Sequence, residues 1–106
     1  MVADRDDILI RIKKRVNESA PGATLILYGS YARGDNRPDS DIDLMILVDQ
    51  DKLTYEEEKN IRYPLYHMEH EIGILISPLV MPRHDWLARQ GKSPFYENVA
   101  REGIVL

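Results

Sequence analysis

Gly29-Ser30-Tyr31-Ala32-Arg33-Gly34, followed by Asp39-Ser40-Asp41-Ile42-Asp43-Leu44, sets a tight glycine turn ahead of two carboxylates spaced for one face of a strand. Upstream, Thr24-Leu25-Ile26-Leu27-Tyr28 is a short apolar run with a β-branched start, and it reads as a buried strand. Gly29 then lets the chain turn sharply. Ser30 stands at the start of a short helical turn, where unpaired N–H groups favour an anion. Asn36-Arg37-Pro38-Asp39 is a second turn, and Asp41 to Val48 reads as a second strand. Side chains alternate along a strand, so Asp41 and Asp43 project together while Ile42, Leu44 and Ile46 face the other way. Paired carboxylates beside a phosphate turn suit Mg2+, which takes a few protein oxygens and completes its shell with water and phosphate. An Asp-x-Asp pair alone is common by chance and reads as a solvated strand end. The full order of strand, Gly-Ser turn, short helix, loop, Ser-Asp-x-Asp and apolar strand is far more specific.

The string GSYARGDNRPDSDIDL, from Gly29 to Leu44, resembles the GSxARG…SDxDL signature of the DNA polymerase beta-like nucleotidyltransferase superfamily. Within it the chain resembles the minimal nucleotidyltransferases, single small domains that include the MntA-type antitoxins. The resemblance implies transfer of NMP from an NTP, ATP first among them, to an acceptor hydroxyl on a protein or small molecule. It implies Mg2+, with Mn2+ as an alternative, held by Asp41 and Asp43, which become the catalytic pair. Gly29 and Ser30 would hold the nucleotide phosphates, with Arg33 and Ser40 completing the nucleotide site. One departure is Tyr31, where many minimal members carry arginine. The resemblance also implies a partner, either a small helical HEPN-type chain or a second copy.

That superfamily usually carries a third carboxylate on the strand beside the Asp-x-Asp strand. His70 to Ser77 reads as this third strand, with Ile72, Ile74 and Ile76 on one face and Glu71, Gly73, Leu75 and Ser77 on the other. Gly73 then fills the expected aspartate position. Glu71, two residues earlier and roughly 6–7 Å along the strand, is the candidate substitute and the third expected catalytic residue. If Glu71 does not reach, the chain is a weakened transferase kept as a binding or antitoxin subunit.

The rest of the sequence frames this site. A chain of 106 residues has room for one core and one small sheet, a single domain over 1–106 with no separate substrate domain. Its apolar share of 43% excludes wholesale disorder, and the absence of cysteine excludes disulfides and thiolate–metal schemes. The net charge of −4 argues against gripping nucleic acid by broad electrostatics. Met1 to Asp7 carries charges where a signal peptide needs an apolar core, and no run nears the ~20 apolar residues of a membrane span. A cytoplasmic protein is the expectation.

Asp4 to Ser19 predicts a helix with Ile8, Ile12 and Val16 inward, and Pro21-Gly22 stops it. Lys13, Lys14 and Arg15 on it read as a solvated helix end. Thr54 to Glu69 predicts a second helix, capped by Thr54 and broken or kinked at Pro64, with Ile61, Leu65 and Met68 toward the sheet. Pro82 to Gln90 and Ser93 to Ala100 predict two short helices, with Phe95, Val99 and Ile104 in the core. The expected fold is α/β or α+β, a mixed sheet of three to five strands with helices on one face and the other open at the metal site.

Overall fold

A computed structural model describes residues 4–106; Met1, Val2 and Ala3, the start of the charged amino-terminal stretch, lie outside the described residues. The chain runs α1 (Arg5–Ser19), β1 (Thr24–Tyr28), α2 (Ser30–Arg33), β2 (Ile42–Val48), α3 (Tyr55–Ile72), β3 (Ile76–Pro82), α4 (Arg83–Leu87), α5 (Pro94–Glu102) and β4 (Ile104–Val105). The four strands form one mixed sheet in the order β3-β2-β1-β4. β1 lies antiparallel to both β2 and β4, while β2 and β3 are parallel. Parallel neighbours need a crossover, and α3 supplies it.

The helix ends follow their sequences. The Asp4 carboxylate accepts from the N–H groups of Asp6 and Asp7 at the start of α1. Thr54 and Glu57 form a reciprocal capping box on α3. Pro64 does not break α3, which runs unbroken from Tyr55 to Ile72. Ile61, Leu65, Met68 and Ile72 are buried along it while Tyr63, His67 and His70 are exposed, so packing against the sheet offsets the lost backbone bond.

α1 and α3 cover one face of the sheet. Ile8, Ile12 and Val16 meet Leu25, Leu27, Ile42, Leu44, Ile46, Leu65 and Met68 there, and most of these are fully buried. The opposite face carries a smaller cluster: Met45 and Leu47 of β2 and Met81 of β3 pack under Trp86 and Val99, with Phe95 and Tyr96 alongside. Trp86 stands edge-on to Phe95 at 5.8 Å between ring centroids, and Phe95 edge-on to Tyr28 at 5.5 Å. These aromatic rings are therefore packing. Asp41 and Asp43 stand toward the start of β2, outside this cluster.

The third strand requires a correction. His70, Glu71 and Ile72 are the last turn of α3, and Gly73 is its left-handed cap at φ 71°. The strand begins at Ile76, where Glu69 takes the Ile76 N–H at 2.7 Å, and runs to Pro82. Ile72, Ile74 and Ile76 all turn toward the same core, but across a helix end rather than along one strand. Pro78 and Pro82 sit on β3 because it is an edge strand, where a missing N–H costs no ladder bond and blunts pairing with another chain. Ile104 is a second departure: it is 40% exposed, and with Val105 it adds β4 to the free edge of β1. No helix among the described residues is long and apolar enough to cross a membrane.

Candidate active site

The site is assembled by the β1-to-α2 turn and the first residues of β2. Tyr28, the last residue of β1, lies directly across from Asp43. Gly29 follows at φ 75° and ψ −157°, a conformation open essentially to glycine. A side chain there has no room either, because a Cβ on Gly29 would stand 2.3 Å from Asp43 Oδ2. Backbone strain and close approach thus both demand glycine. The consequence is that the Asp43 carboxylate rests against the Gly-Ser turn. α2 is a single turn: the N–H groups of Ala32 and Arg33 bond back to the Gly29 carbonyl at 3.1 Å.

Asp41 and Asp43 face the same side, away from the main core, while Ile42 and Leu44 between and after them are fully buried. Ser77 is the register partner of Asp43 on β3, and its hydroxyl donates to Asp41 Oδ2 at 3.3 Å. The pair is electrostatically uncomfortable. Asp43 is held above the ordinary carboxylate range, chiefly by burial, then by the Asp41 charge; the Glu102 carboxylate adds to this and Arg33 opposes it. Burial and then the Asp43 charge raise the Tyr28 phenol in the same way. A cation placed between these oxygens would relieve all of it.

The two carboxylates and the Ser77 hydroxyl present oxygen ligands only, the donor chemistry of Mg2+ rather than of softer ions. Among the described residues, no group of three or more Asp, Glu, His or Cys is gathered tightly enough to hold a metal by itself. Two carboxylates suffice where the ion arrives with phosphate oxygens and keeps its waters, so the residues fit Mg2+ carried with a nucleotide.

The remaining expected residues are placed differently. Glu71 lies on α3 and ion-pairs with Arg11 of α1, so the premise that brought it beside Asp41 and Asp43 is removed. Gly73 caps a helix and is no vacated aspartate position; that position, opposite Asp43, belongs to Ser77. Ser40 accepts the Arg37 N–H at 2.8 Å and so folds the loop that leads into β2. Arg33 is engaged by Asp35 at 3.2 Å and by Glu102 at 3.1 Å. Tyr31 is buried in the main core, and its carbonyl accepts from Arg5 at 2.9 Å, which ties α2 to α1. It does not stand in for an arginine at the phosphate turn. Lys13 and Lys14 are exposed on α1.

Sequence reasoning missed Glu102. Its carboxylate accepts from the Gly29 N–H at 3.2 Å and from Arg33 at 3.1 Å. Nothing in the local sequence marks it, since 73 residues separate it from Gly29 and only the return of β4 to β1 brings it there.

Comparison with known proteins agrees with this architecture. Residues 9–80 match the nucleotidyltransferase domain family. A curated protein of Methanocaldococcus jannaschii, named "Putative protein adenylyltransferase MJ0141", is 42% identical over 81 residues, or 76% of this chain and 74% of that one. A solved structure described as "putative minimal nucleotidyltransferase" superposes with a TM-score of 0.64 at 23% identity, covering 98% of this chain and 97% of the other. A toxin–antitoxin crystal structure with AMP-PNP superposes at 0.61 with 16% identity, covering 96% of this chain and 72% of its own. The structural likenesses speak for the fold.

Proposed function

The chain belongs to the nucleotidyltransferase-domain family, and from that premise we propose that it transfers AMP from ATP to a hydroxyl on a protein. The observation that carries this reading is the contact of the Asp43 carboxylate with Gly29, which sets the acidic pair against the phosphate turn. Support for the adenylyl group and a protein acceptor comes from the 42%-identical archaeal relative, whose name specifies both.

In this reading Ser30 and the N–H groups opening α2 hold the β- and γ-phosphates, with Arg33 turning toward them. Asp41 and Asp43 would hold Mg2+, which would supply neutralisation of the triphosphate charge. The acceptor oxygen forms a bond to the α-phosphorus as the bond to the bridging oxygen breaks, and pyrophosphate leaves in line. The acceptor proton passes to solvent, because Ser77 rather than a carboxylate stands beside Asp43. Ser40 acts indirectly, by fixing the loop ahead of β2.

Ser77 also favours a second reading. General-base help typically contributes ~10²–10⁴-fold, and without a positioned base the chain works slowly or serves as a nucleotide-sensing antitoxin subunit. A small helical HEPN-type chain is the proposed partner, consistent with the toxin–antitoxin fold neighbour and with acceptor recognition from outside so small a domain. Calorimetric titration with ATP and Mg2+ tests the shared core of both readings. Wild type should bind, and Asp41→Asn with Asp43→Asn should abolish binding; unchanged binding in the double variant places the nucleotide elsewhere. Transfer of label from α-labelled ATP to a protein then separates the enzyme from the sensor.

A further inference from the structure

Glu102 makes two contacts that a bound triphosphate would need for itself. Its Oε1 takes the N–H of Gly29, the residue that opens the phosphate turn, at 3.2 Å. Its Oε2 takes the guanidinium of Arg33, the last residue of α2, at 3.1 Å. The side chain is only 19% exposed, so it is seated rather than waving in solvent. Its seat is built by the backbone. Glu102 is the last residue of α5, and Gly103 follows so close to β1 that a Cβ would stand 2.8 Å from Ile26 Cγ2 and 2.5 Å from the Val99 carbonyl. Ile104 then pairs with Leu27, and the Leu106 N–H bonds to the Leu25 carbonyl at 2.9 Å. The register of β4 on β1 therefore delivers the Glu102 carboxylate to Gly29.

A carboxylate is a poor permanent neighbour for this site. Asp41 and Asp43 already crowd it with negative charge, and Glu102 adds to that crowding. Its two contacts, one backbone N–H and one guanidinium, are the pair a phosphate oxygen would accept.

We propose that Glu102 is an internal phosphate mimic, occupying the Gly29 and Arg33 anion contacts until the triphosphate of a nucleotide displaces it. The inference rests on the phosphate-turn reading of the proposed function. Binding then frees Glu102 and loosens the junction of α5 with β4, so the carboxy-terminal elements report whether nucleotide is bound. The exchange is a competition for the same donors, since Glu102 and an anionic ligand cannot share the Gly29 N–H and the Arg33 guanidinium.

The test uses inorganic tripolyphosphate, without nucleoside or metal, titrated calorimetrically into wild type and Glu102→Gln. The glutamine keeps the size and one acceptor but removes the charge, and binding should tighten about tenfold. Hydrogen exchange on unaltered wild type is the companion measurement, and tripolyphosphate should speed exchange of the amides from Glu102 to Leu106. Equal or weaker binding by Glu102→Gln, or slowed exchange in that segment, overturns the proposal. If ATP with Mg2+ binds through Asp41 and Asp43 while Glu102→Gln changes nothing, the displacement idea falls and the functional reading stands. Failure of both ATP and tripolyphosphate to bind removes both.

Discussion

Replacing Gly29 by alanine separates two demands that the structure places on one residue. The first is conformational: φ 75° with ψ −157° is costly for any residue with a Cβ, by about 1–3 kcal/mol. The second is steric, because the new Cβ would stand 2.3 Å from Asp43 Oδ2, 3.1 Å from its Cγ and 3.3 Å from its Cβ. Oδ2 ends a rotatable side chain, so Asp43 can swing aside, and in doing so it leaves the position beside the phosphate turn. Gly29→Ala should therefore lower stability by at least about 1–3 kcal/mol and, separately, weaken binding of ATP with Mg2+. Asp43→Ala divides the two costs, since it leaves only the 3.3 Å neighbour and removes the tight contact. Urea unfolding of wild type, both single variants and the double variant should show a smaller alanine cost in the Asp43→Ala background, with a coupling of at least about 0.5 kcal/mol. A Gly29→Ala protein within ~0.5 kcal/mol of wild type would refute the conformational argument. Equal costs in both backgrounds would refute the contact.

Three further variants are tied to the same geometry. Ser77→Asp places a carboxylate at the register position beside Asp43; it should tighten Mg2+ binding and raise AMP transfer by up to ~10²–10⁴-fold, whereas Glu71→Gln should leave transfer unchanged and cost less than ~1 kcal/mol in chemical unfolding. Asp43, raised chiefly by burial and then by Asp41 and Glu102 against the opposing pull of Arg33, is a group whose ionisation the fold disfavours, so its charge costs stability above its folded pKa and nothing below the ordinary value of 3.8. Asp43→Asn should accordingly raise the melting temperature of the metal-free protein at neutral pH and not below about pH 3; Mg2+ should stabilise wild type more than the variant, and a variant melting below wild type at neutral pH would count against the buried-charge account.

Where one local rule dominated, the sequence was legible. Thr24–Tyr28, the Gly-Ser turn and the strand from Ile42 lie where apolar alternation and turn chemistry put them, because both faces of β2 are committed by its own residues. The ends of α1, α3 and α5 follow Asp4, Thr54 and Ser93. Between Glu69 and Ser77 two rules competed. Three isoleucines at every second position look like a strand, yet Ile72 closes the buried stripe of α3 while Ile76 opens β3. Gly73 was the discriminating signal, a left-handed helix cap in place of a strand residue. Pro78 argued against a strand continuing past Ser77, and only the edge position of β3 makes it tolerable. Glu102 was invisible for another reason: its partners are fixed by β4 pairing, a contact 73 residues long with no local period.

That slip of a few residues changes the chemistry more than the fold. Reading the strand from His70 puts a glycine where an aspartate is expected and offers Glu71 as a remedy. The strand as it stands puts Ser77 opposite Asp43, close enough to donate to Asp41, while Glu71 serves only to hold α3 to α1. A hydroxyl there can orient a carboxylate but cannot share its charge or take a proton at neutral pH. Glu102, which also reaches the turn, spends both oxygens on Gly29 and Arg33, so it does not replace the missing carboxylate. In the proposed reading the acidic pair and the turn would hold a metal-bearing nucleotide, with no third carboxylate beside them on β3 among the described residues. Binding and turnover should come apart in this protein: tight, Asp41- and Asp43-dependent capture of ATP with Mg2+ alongside slow transfer, quickened when Ser77 becomes aspartate. Fast transfer by wild type with no gain from Ser77→Asp would mean that the proton leaves by a group outside this sheet, and the acceptor protein would then be the place to look for it.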